Sequence, residues 1–140
     1  MEKLIQHAQD MRQFSHAPHS HFRVGAALLT ADGVIFGGCN VESDSYGLTI
    51  CAERNAIFNA FAQGHRKFKA MAIVTSTKGT PCGACRQIIA ELCGNIVIYT
   101  ADLQGNISSY HSFDLIPHHF TLSKSINLAM PTKKLHEDAI

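Results

Sequence analysis

Apolar residues fall into blocks along this chain, and the spacing inside each block predicts an element. Leu4, Ile5, Ala8, Met11 and Arg12 keep helical intervals, so the N-terminal stretch reads as an amphipathic helix closed by Phe14 near Ser15. SHAPHSH (15–21) holds a proline, two serines and three histidines and reads as a loop. FRVGAALLT (22–30) and VIFGG (34–38) flank the turn Ala31-Asp32-Gly33 and predict a hairpin. CNVESDSYGLT (39–49) is polar and too long for a simple turn. A helix is predicted from Cys51 to about Gln63, where Gly64 supplies the stop. AMAIVTST (70–77) is continuously apolar and β-branched, as in a strand buried on both faces. Pro81 opens another helix, CGACRQIIAELC, which Gly94 ends. NIVIYT (95–100) reads as a second buried strand, ISSYHSF (107–113) as a weaker edge strand, and DLIPHHF as a short closing element.

Strand, helix, strand, helix, strand in that order requires crossovers, hence an α/β fold with a partly parallel sheet and helices packed on it. A length of 140 residues suits one domain that buries a core without staples. The formal net charge of +1 advertises no polyanion-binding surface, so no nucleic-acid partner is expected. No run approaches the roughly 20 apolar residues of a membrane helix. The N-terminus lacks the apolar region of a signal peptide, so a cytoplasmic protein without a membrane partner is expected. Thiols stay reduced there, and the five cysteines read as metal ligands, nucleophiles or core residues rather than disulfides. The tail PTKKLHEDAI is polar and expected to be frayed or disordered.

Candidate chemistry gathers at two helix starts. Cys85, Ile88, Ile89 and Leu92 share a core-facing stripe, and Cys82 lies one turn earlier on the same face. Pro-Cys-x-x-Cys at a helix start aims two sulfurs at one spot, where free N–H groups and the helix dipole favour thiolates. Two thiolates are half a tetrahedral zinc site. Cys51 also begins a helix, 31 residues before Cys82 (82 − 51). Three sulfurs can then converge on one ion with a fourth position unfilled. A redox pair would leave TICAER unexplained, and a closed structural zinc would need a fourth Cys or His. Cys39 and Cys93 read as small buried hydrophobes, and His16, His19 and His21 as a solvated loop.

Glu53, two residues past Cys51, can serve the helix dipole or the chemistry. An acid beside an open zinc position is what metal-activated water requires, and this favours catalysis. Arg54 reads either as a surface arginine or as a cation offsetting the net charge of −1 that three thiolates leave on Zn²⁺.

Cys51-Ala52-Glu53 with Pro81-Cys82-Gly83-Ala84-Cys85 is the three-cysteine form of the zinc-deaminase signature. FRVGAALLT, NVESDSYGLTICAER and PCGACRQ resemble the small homotetrameric cytidine deaminases over residues 1–120. The resemblance implies a three-layer α/β/α fold on a mixed five-stranded sheet, a catalytic domain over 1–120, and a partly disordered extension over 121–140. It implies one Zn²⁺ per chain on Cys51, Cys82 and Cys85, with Glu53 as proton shuttle and Arg54 beside the ligands. The nucleoside would be met by Phe22 on the pyrimidine, by Asn40, Val41 and Glu42 at the ribose, by Ala52, and by Phe120 from a neighbouring subunit of a homotetramer. The implied reaction is hydrolytic deamination of cytidine and 2′-deoxycytidine. A blasticidin S type deaminase and a non-catalytic zinc module for RNA or protein are the rivals, the latter opposed by Glu53 and the near-neutral charge. His19 and Ser43-Asp44 depart from the family pattern, which touches sugar preference more than reaction type.

Overall fold

The structure, a computed structural model, describes residues 1–122. The polar tail beginning at Pro131, and nearly all of the proposed 121–140 extension, fall outside the described residues. Helix α1 (Glu2–Arg12) leads into the hairpin β1 (Gly25–Thr30) and β2 (Ile35–Cys39). Helix α2 (Ala52–Ala62), strand β3 (Phe68–Val74), helix α3 (Gly83–Cys93) and strands β4 (Val97–Ala101) and β5 (Ile107–His111) follow. Short 3₁₀ turns occupy Tyr46–Leu48 and Ser112–Leu115.

One mixed sheet runs in the order β2-β1-β3-β4-β5. Only β3 and β4 are parallel, joined through α3; β1 runs antiparallel to both β2 and β3. Strand alternation then divides the core into two layers. Ala26, Leu28, Met71, Ile73 and Ile98 pack with Ala56 and Ile57 of α2 and Cys85 and Ile89 of α3. The intervening Ala27, Ala70, Ala72, Val74 and Ala101 face Leu4 and Ala8 of α1. This is a three-layer α/β/α arrangement, as the resemblance implies. Small residues set the spacing: a side chain at Gly38 would run into the backbone of Ala52 and Ala56, so α2 lies directly against β2.

All five expected strands form, but their ends move for identifiable reasons. β1 starts at Gly25 rather than Phe22, because the Asn40 side chain takes the Phe22 carbonyl and the Val24 N–H that a ladder would use. β3 stops at Val74, since the Thr75 hydroxyl accepts the N–H groups of Thr77 and Gly79 and turns the chain. β5 ends at His111, after which buried Ser112 bonds Gly94 and Ile96. α1 ends at Arg12, two residues short of Phe14. Among the described residues no helix is long and apolar enough to cross a membrane.

Candidate active site

Cys51 and Cys82 hold matching positions. Each is the N-cap of its helix, with extended backbone at φ −70°, ψ 156° and φ −66°, ψ 169°, so each helix starts one residue later than the sequence predicts. Neither sulfur caps its own helix, so both are free for another partner while the unpaired N–H groups of two first turns lie beside them. Cys85, in the first turn of α3, is fully buried.

The three sulfurs lie within 4.8 Å of one another, and Cys51 and Cys82 are 3.8 Å apart. Two sulfurs held at about 2.3 Å by one tetrahedral ion would sit about 3.8 Å apart, so the cluster has zinc dimensions. Its protons behave accordingly. Hydrogen bonds from Cys85, Arg54 and Cys82 bring the Cys51 thiol down to about 5 against its burial. The hydrogen bond to Cys51, followed by burial, pushes Cys85 up. Arg54 Nη2 donates to Cys51 Sγ at 3.4 Å, so its guanidinium lies against one sulfur of the cluster.

Glu53 is 5% exposed in the first turn of α2, so it does not serve merely as a solvated dipole partner. Burial pushes its carboxyl up to about 7, and Oε2 accepts from Cys85 Sγ at 3.7 Å. Glu53, Cys51 and Cys82 line a cleft of about 280 Å³, with Cys85 buried behind them. Phe22, Asn40 and Glu42 line it, as the sequence predicts, together with Ser20, Thr49, Thr75, Gly79 and Thr80. Of those five only Thr49 falls in a stretch that the resemblance rests on; the others belong to no motif and reach the cleft because separate connections meet there.

Asn40 and Glu42 brace the wall on which they stand. Asn40 Nδ2 donates to the Phe22 carbonyl at 2.8 Å, and Oδ1 accepts from Val24 N–H at 2.9 Å and from the Ser15 hydroxyl. Glu42 Oε1 accepts from the N–H groups of His19 and Ser20 at 2.9 and 3.1 Å, and Oε2 from the Ser20 hydroxyl. The Ser20 bond above all holds the Glu42 carboxyl below its ordinary range. Each keeps hydrogen-bonding capacity free, one amide N–H on Asn40 and lone pairs on Glu42. Val41, Ala52 and Phe120 do not line the cleft of the single chain. Val41 is half-exposed, Ala52 is buried beneath Gly38, and Phe120 is exposed with its backbone held by Gln87. Cys39 and Cys93 stand apart from the cluster, half-buried as expected.

Comparison with known proteins agrees with this geometry. Residues 1–101 match the family described as the cytidine and deoxycytidylate deaminase zinc-binding region. Cytidine deaminase of Sporosarcina psychrophila is 47% identical over 124 residues, covering 86% of this chain and 91% of that protein. The crystal structure of cytidine deaminase from Burkholderia pseudomallei superposes with a TM-score of 0.82 at 46% identity, over 85% of this chain and 98% of that one. That of cytidine deaminase from Mycobacterium tuberculosis gives 0.76 at 35% identity, over 86% and 97%. With a three-sulfur cluster of zinc dimensions, a buried acid beside it and a match over most of its length, the chain belongs to the cytidine and deoxycytidylate deaminase family of zinc-binding proteins.

Proposed function

We propose that this protein deaminates cytidine and 2′-deoxycytidine hydrolytically, giving the uridine nucleosides and ammonia. The observation that carries the reading is the buried Glu53 carboxyl lining one cleft with Cys51 and Cys82, two members of a three-sulfur cluster. Cys51, Cys82 and Cys85 would hold one zinc per chain, and zinc supplies the Lewis acidity that brings bound water toward ionisation near neutral pH. Glu53 would take one proton from the attacking water and pass it to pyrimidine N3, then pass the remaining hydroxyl proton to the departing amine, so that a C4–O bond replaces the C4–N bond. Its burial keeps those transfers out of bulk water. Arg54, on the Cys51 sulfur, draws off charge that would blunt the ion. Phe22 offers a ring to the pyrimidine, and the free N–H of Asn40 and lone pairs of Glu42 suit ribose hydroxyls. Residues 1–120 form the catalytic unit. The working species is a homotetramer, and the protein acts in the cytoplasm on a free nucleoside.

The test is loss of cytidine absorbance with release of ammonia, in wild type and Glu53→Ala. Wild type should turn over, while the variant should keep its zinc and its fold yet lose about two to four orders of magnitude in rate. A variant that retained most of its turnover would reduce Glu53 to a helix-dipole residue and overturn the mechanism. Wild-type turnover of blasticidin S but not cytidine would shift the substrate.

A further inference from the structure

The two loops that wall the cleft are joined by a contact that involves neither a metal ligand nor a cleft-lining side chain. His19 Nε2 lies 3.1 Å from Asp44 Oδ1, and the His19 ring meets Tyr46 edge-on with centroids 5.1 Å apart. These are positions where the chain departs from the family pattern. They are tied to the cleft through backbone. The N–H of His19 is one of the donors to Glu42, at 2.9 Å, and the next residue, Ser20, gives Glu42 two more. Asp44 stands two residues beyond Glu42. A closed circuit results: Glu42 holds the 19–20 backbone, the His19 side chain holds Asp44, and Asp44 returns along the chain to Glu42. With the pair made, neither loop can draw away without breaking a second bond.

We propose that His19 and Asp44 are a positioning pair that fixes Glu42 and Ser20 for the sugar hydroxyls and thereby sets affinity for hydroxyl-bearing nucleosides. This rests on the cytidine deaminase reading. Neither side chain touches the substrate. The pair acts by removing freedom that Glu42 would otherwise lose on binding. Both partners are accessible, with side chains 32% and 101% exposed, so the effect is modest. It is also confined to ligands that engage Glu42.

The test uses the zinc-loaded full chain as wild type, His19→Ala, Asp44→Ala and the double variant. KM and kcat are measured for cytidine, and the inhibition constant for 2′,3′-dideoxycytidine, which lacks both ring hydroxyls. Each single variant should raise the cytidine KM by about two- to fivefold, the range an exposed pair supports, and the double variant no further. kcat, zinc content and the dideoxycytidine constant should stay at wild-type values. As a matched control, Asp32→Asn, beside His65 at 3.8 Å on the hairpin turn, should leave KM unmoved. An unchanged cytidine KM in all variants overturns the pair. So does an equal rise for dideoxycytidine, which would mean general loosening of the loops. Wild type failing to deaminate cytidine overturns the reading beneath it, a result distinct from turnover with an unmoved KM.

Discussion

Five cysteines with one chemistry in isolation have three fates here, and burial with charge decides among them. Cys51, Cys82 and Cys85 cluster at two helix starts, where hydrogen bonds pull the Cys51 thiol down to about 5. Burial alone pushes Cys93 up to about 12 and Cys39 upward, with no cation near to reverse it. Among the described residues, neither belongs to a group of side chains spaced to hold an ion, whereas the other three do. Cys39→Ala and Cys93→Ala should therefore retain one zinc per chain, whereas Cys82→Ala should abolish it, as metal analysis of the purified variants will show. Zinc lost with Cys39 or Cys93 would mean that other sulfurs hold it. These roles were legible in the sequence through spacing and helix periodicity. The second duty of Asn40 and Glu42, bracing the loop at 15–24, was not: a side chain's bonds to distant backbone leave no periodic trace.

At the scale of elements, the site depends on how closely α2 approaches β2. Gly38 permits that approach, and its neighbours are the carbonyl of Ala52 and the amide of Ala56, backbone atoms that cannot swing aside. Gly38→Ala should cost about 1–3 kcal/mol in a denaturation curve, or more where the helix cannot shift. Because Cys51 and Glu53 ride on that helix, the variant should also lose zinc affinity; Gly83→Ala, where an added methyl meets nothing, should not show the steric loss. The strands were readable because each is a short apolar block between turn residues. Their order was not, since β1 sits between β2 and β3 through antiparallel pairing on both sides, a long-range choice with no local signature.

For the whole molecule, the cleft is open on one chain, and three predicted substrate contacts, Val41, Ala52 and Phe120, stand away from it. Phe120 is 66% exposed and Leu122 80%, and the Phe120 backbone is held by the Gln87 side chain. Under the tetramer proposal this segment meets a neighbouring chain and closes its cleft against water. Light scattering across a dilution series should find activity in the oligomer, and Phe120→Ala should weaken cytidine binding with zinc retained. A fully active monomer would refute the donated wall.

The two matching caps also bear on the order in which the protein is made. Cys82 and Cys85 are neighbours in sequence and meet within one helical turn, but two sulfurs are only half a coordination sphere. The third, 31 residues away, comes into place only after α2 has packed and β3 has been laid beside β1. Closing that span carries an entropy cost that sheet assembly, not the ion, must meet first. Zinc therefore arrives as a lock on a finished fold rather than a seed for it. The ion's hold slows the chain's escape from the native state while leaving its route there unchanged.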